Sequence, residues 1–142
     1  SEAQVQATKM RKALRSTEKK LKEVNEQIHF TGQYLANKSV YGQFLKSKNK
    51  KQFRQEHQSE ITLYETARRI LKERSEGGKL PSMKFLKAEK EKLTTLKDSH
   101  YEAYQNLRNY QNELKTVCSN VDMILRENLF RQKEQQKNQD IS

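Results

Sequence analysis

The chain has 142 residues, 32% of them apolar and 33% charged, and its 29 Lys and Arg outweigh 18 Asp and Glu to give a net charge of +11. That apolar share, against roughly 45–50% in globular domains, excludes a thick spherical core. No stretch approaches the ~18 apolar residues of a membrane span, and a lone cysteine, Cys118, excludes an intrachain disulfide.

The excess of Lys and Arg favours polyanionic partners such as nucleic acid, acidic proteins or anionic surfaces. A single free thiol fits a reducing compartment, so a cytoplasmic location is expected. The chain opens Ser-Glu-Ala with no initiator Met and no visible signal peptide, which suggests a fragment of a larger protein.

In chain order, residues 3–36 read as one long helix. Met10, Leu14, Thr17, Leu21, Val24, Ile28, Thr31 and Leu35 are spaced alternately three and four apart, the 3.5-residue period of a coiled-coil seam. Gly32 weakens its end, and Asn37 is the expected terminator. Residues 39–74 lose the heptad and gain aromatics. They read as three short helices, 39–47, 50–57 and 59–74, with Ser39, Asn49 and Ser59 as candidate N-caps. In the last, Ile61, Tyr64, Ala67, Arg68 and Leu71 form a face of period 3.6.

Gly77-Gly78 ends that helix and permits positive φ. Pro81 holds Leu80 extended, and Ser82 caps a new helix over 82–130. Its seam runs Leu86, Glu89, Leu93, Leu96, His100, Ala103, Leu107, Tyr110, Leu114, Val117, Val121, Ile124. Residues 131–142 have no apolar period and are expected to be a disordered tail.

The fold class expected is all-α, a long antiparallel coiled-coil hairpin with a small head of short helices. Folding back once brings Met10 near Ile124 and Leu35 near His100, and leaves Leu86, Leu93 and Leu96 for the short helices to cover. Short connections favour this intrachain pairing. A homodimer pairing one stripe with its copy is the alternative.

Enzyme signals are weak. His57 lies between Glu56 and Glu60, but the second histidine of a HExxH zinc site is missing. Gly77-Gly78-Lys79 lacks the flanking residues of a phosphate loop, and no serine sits in a nucleophile elbow. No metal and no cofactor is expected. The best binding candidate is the stretch with Lys46, Lys48, Lys50, Lys51 and Arg54, five positive charges without an acid, flanked by Phe44 and Phe53. Such lysines neutralise phosphates, and exposed aromatics would stack on unpaired bases. The spacing of Tyr41, Phe44, Leu45 and Phe53 fits buried helix faces better. Lys9, Arg11, Lys12, Arg15, Lys19, Lys20 and Lys22 form a second basic zone, of which Arg11, Lys12 and Arg15 are the expected secondary contacts.

Residues 53–125 carry a further pattern: Phe53-x-x-Glu56-His57-x-x-Glu60-Ile61-x-Leu63-x-x-x-Ala67, then Lys79-Leu80-Pro81-Ser82, Leu86-x-x-Glu89, Tyr101-x-x-Tyr104 and Asn120-Val121-Asp122-x-Ile124-Leu125. It resembles the C-terminal helical region of relaxase/mobilisation proteins of Gram-positive conjugative and mobilisable elements, plasmids and transposons. The resemblance implies a non-catalytic accessory module, because the tyrosine nucleophile and histidine-bound metal of that family belong to a separate nuclease domain that nothing here matches. It implies DNA near the transfer origin, the relaxosome or the coupling protein as partners. It makes Glu56, His57 and Glu60, with Pro81 and Ser82, structural junctions. The expected function is thus assistance to DNA mobilisation through backbone contacts. The alternative is a coiled-coil interaction or self-association module that touches no DNA.

Overall fold

The computed structural model describes residues 1–141, and all side chains among them except those of Glu76, Asp140 and Ile141. The architecture is all-α. In chain order it has α1 (Glu2–Lys46), α2 (Lys50–Glu56), α3 (Gln58–Arg74), a single 3-10 turn at Glu76–Gly78 and α4 (Met83–Ile141). No helix among the described residues is long and apolar enough to cross a membrane.

Helix α1 runs ten residues past its expected end. Asn37 does not terminate it; its side-chain amide instead donates to the Gln33 carbonyl one turn back, at 2.8 Å. The turns beyond carry Tyr41 and Phe44, whose rings pack on α3 and α2, and this packing outweighs the poor helix propensity of Asn37, Ser39 and Gly42. Ser39 therefore caps nothing, and the expected separate helix 39–47 is part of α1. Helix α2 begins as the sequence predicts, with the Asn49 side chain accepting from the Gln52 amide at 3.1 Å. The cap position of α3 falls on His57 and not Ser59. Ser82 caps α4, its hydroxyl accepting from the Phe85 amide at 3.1 Å. Gly77 and Gly78 take φ of 81° and 79°. Helix α4 continues through the expected tail to Ile141; Ser142 lies outside the described residues.

The helices form two compact units. Leu14–Asp98 make one of them. Here α3 lies back along α1: Tyr64 stacks on Tyr41 and Tyr34, and Arg74 pairs with Glu26 at 3.0 Å. The α3 face is the core. Ile61, Tyr64, Ala67 and Leu71 are buried, together with Leu86 of α4 and Thr17 and Thr31 of α1. Arg68, expected on that face, is exposed. Leu35 and Leu96 are about half exposed, so the expected covering of the α4 leucines reaches Leu86 alone in full.

The antiparallel pairing of α1 and α4 has a different register from the one expected. A Cβ at Gly32 would touch Met83 at 3.9 Å, so the first turn of α4, not His100, lies beside the Thr31–Leu35 turn of α1. The cause is α3, whose 17 residues carry the chain about 25 Å back along α1 before α4 starts. The second unit holds Ser1–Ala13 and the chain from Ser99 onward. In it Ser1, Ala3 and Gln4 lie beside Arg108–Lys115, and Ala7 is buried. Met10 therefore does not face Ile124: α4 extends past the start of α1 beyond Lys115, and residues 116–139 are all exposed.

Candidate nucleic-acid interface

The end of α1, the turn that follows it and α2 bring the basic stretch together. Ser47 closes the turn, its amide donating to the Phe44 carbonyl at 3.2 Å. Lys46 ends α1, Lys48 lies in the turn, and Lys50 and Lys51 open α2; all four are exposed. Lys46 sits where the negative end of a helix dipole favours it, whereas Lys50 and Lys51 sit at a positive end that repels them. Among the described residues, no carboxylate forms an ion pair with any of the four.

Arg54 differs from its neighbours. Its Nη2 lies 2.7 Å from Glu65 Oε1, and its guanidinium carbon lies 4.9 Å from the centroid of the Phe44 ring. It therefore fastens α2 to α3 and to α1. The aromatics are likewise committed. Phe44 and Phe53 pack at 6.2 Å, Tyr41 packs on Phe44 at 5.7 Å, and all three are half-buried.

Of the second basic zone, Arg11 and Lys12 belong to the unit containing Ser1, where Arg11 shares an open hollow with Tyr104, Arg108 and Gln111. Arg15 is exposed and belongs to the other unit.

His57 stands at the α2–α3 junction. Its amide closes α2 on the Phe53 carbonyl at 3.0 Å, its ring packs on Phe53 at 4.4 Å, and its Nδ1 lies 3.3 Å from Glu60 Oε2. Glu56 accepts from the Gln52 amide side chain at 3.1 Å. Pro81 is half-buried in the loop before Ser82. Among the described residues, no three His, Cys, Asp or Glu side chains gather where a metal could be held.

Within the Leu14–Asp98 unit an open groove of about 730 Å³ runs between α1 and α4 beside the end of α3. It is lined by Glu18, Leu21, Lys22, Asn25, Glu26, His29, Phe30, Arg74 and Lys97. Phe30 takes the Arg74 guanidinium on its face at 5.8 Å, and His29 Nε2 lies 3.2 Å from the Gln33 amide nitrogen. The groove holds acids and a histidine but no serine, threonine or cysteine beside them. Sequence spacing offers no signal for it, because Glu26 and Arg74 are 48 residues apart. The same holds for Glu65 as the partner of Arg54, which lies on the next helix.

Compared with known proteins, the chain matches no family model, no curated protein and no solved structure.

Proposed function

We propose that this chain is a non-catalytic helical module of a DNA relaxase that assists mobilisation by holding the DNA backbone through Lys46, Lys48, Lys50 and Lys51. The observation that carries the reading is their exposure without a carboxylate partner among the described residues, next to an arginine that is paired with Glu65. Each such lysine releases condensed counterions when it meets a phosphate, and that release is a sequence-independent source of affinity. The packed state of Phe44 and Phe53 argues for backbone contact over base stacking. Arg11, Lys12 and Arg15 serve as secondary contacts. The choice of a relaxase rests on the motif resemblance in residues 53–125, and a relaxosome or coupling protein is the protein partner it implies.

Binding of origin-region duplex to the whole chain, followed by fluorescence anisotropy at rising salt, tests it. Four lysine contacts give a slope of log affinity against log salt of about −3 to −4. Converting the four lysines to glutamate abolishes binding, while circular dichroism stays unchanged because all four are exposed. Binding that ignores salt, or that survives the fourfold reversal, rules the proposal out.

A further inference from the structure

From Leu114, which lies beside Ser1, Ala3 and Gln4 at the start of α1, the apolar edge of α4 continues past Lys115, where α1 no longer accompanies it. Leu114, Val117, Val121 and Ile124 keep the three-four-three spacing of the seam and are 42%, 57%, 48% and 57% exposed. Upstream, in the same unit, the α4 surface from Tyr104 to Lys115 lies along Ser1–Arg11 of α1. An apolar edge of this kind is costly to leave in water and marks an interaction surface. We infer that residues 114–124 of α4 are a self-association face, occupied by the same edge of a second copy of this chain.

Three observations select a second copy. The edge is a direct continuation of the seam that α1 already fills, so what it accepts is another helix with the same spacing. The spacing three-four-three reads identically in either direction, and a twofold axis therefore matches every apolar residue of one copy with an apolar residue of the other. Charge points the same way. Residues 112–139 hold five basic and four acidic residues, whereas the rest of the chain carries ten more basic than acidic. Two copies of this segment meet almost without net repulsion.

Sedimentation velocity of the whole chain over a concentration series is the test. The chain is expected to dimerise reversibly. The pair Val117→Glu and Ile124→Glu is expected to raise the dimer dissociation constant by about tenfold or more, with helix content and thermal midpoint of the monomer intact, since both positions are exposed. Met123→Glu, about 140° around the helix from the edge, is expected to leave the dimer in place. The association is expected to persist at salt concentrations that release DNA, which separates it from bridging by nucleic acid. A chain that stays monomeric at every concentration overturns the inference, as does a dimer indifferent to the Val117 and Ile124 changes or equally sensitive to Met123→Glu. The first of these results would leave the edge to a different protein.

Discussion

Arg54 and Glu65 form a 2.7 Å ion pair between α2 and α3, and the arginine that makes it lies over the ring of Phe44 from α1. One side chain thereby ties three helices together beside four lysines that form no ion pair among the described residues. Both partners are about 40–45% exposed, so solvent screens the pair and its contribution is modest, on the order of 0.2–1 kcal/mol. The stacked cation on Phe44 adds a comparable amount. Arg54→Ala is therefore expected to lower unfolding stability by ~0.5–2 kcal/mol in urea titrations, and to leave DNA affinity within about twofold. An affinity loss as large as that of a lysine reversal would return Arg54 to the phosphate-binding set.

Tyr64 gives the fold a response to alkaline pH. Burial, the hydrogen bond with Tyr34 and the nearby Tyr34 hydroxyl push its phenol above the ordinary value of 10.0, against a smaller opposing effect of Arg68. The neutral ring is the form the folded state keeps. Below the unfolded value the stabilisation is complete; as pH rises past about 10 the unfolded chain gives up its proton first, and stability falls until the folded group also ionises. Urea midpoints measured from neutral to strongly alkaline pH are expected to decline in that window. Tyr64→Phe is expected to flatten the decline, and an unchanged slope in that variant would remove Tyr64 as the cause.

The glycines divide by backbone conformation. Gly42 is inside α1, and a Cβ there meets nothing within 4 Å. Gly42→Ala is expected to raise stability by ~0.5–1 kcal/mol, through reduced freedom of the unfolded chain and better helix propensity. Gly77 holds φ at +81°, where an L side chain is strained. Gly77→Ala is expected to cost ~1–2 kcal/mol. Opposite signs in thermal melts of the two variants check the pair.

Burial sorts the apolar residues with equal sharpness. Ile61 and Leu71 are 0% and 1% exposed. Truncation of either to alanine is expected to cost about 2–5 kcal/mol, the transfer term plus the cavity left in a packed site. Met123→Ala, on the outer face of α4 where the side chain is exposed, is expected to fall within about 0.5 kcal/mol of the parent. Chemical denaturation monitored by far-UV circular dichroism distinguishes these outcomes.

Much of the local order was readable from residues. The heptads along α1 and α4, the Asn49 and Ser82 caps, the left-handed Gly77-Gly78 and the inward face of α3 depend on neighbours within a turn or two, and their spacing in the chain is their spacing in space. The lysine cluster was legible for the same reason, since five positive charges between residues 46 and 54 need no tertiary contact to be close. The end of α1 was not legible. Asn37 and Gly42 are poor helix formers, and the packing of Tyr41 on Tyr64 and of Phe44 on Phe53 outweighs them.

The sequence by itself determined that this is a helical protein with thin apolar seams and a basic exterior, because periodicity and charge are properties of the chain. Which turn of α4 meets which turn of α1 was decided by tertiary structure alone. A repeating seam matches itself at several offsets with similar energy, so the register had to be fixed by the length of α3 and the loop behind it. Arg54 likewise was set apart from its lysine neighbours by tertiary structure alone, through Glu65 on another helix. The register of α1 and α4 also left Val117, Val121 and Ile124 past the start of α1, where an edge that reads like any other part of the seam remains open to water.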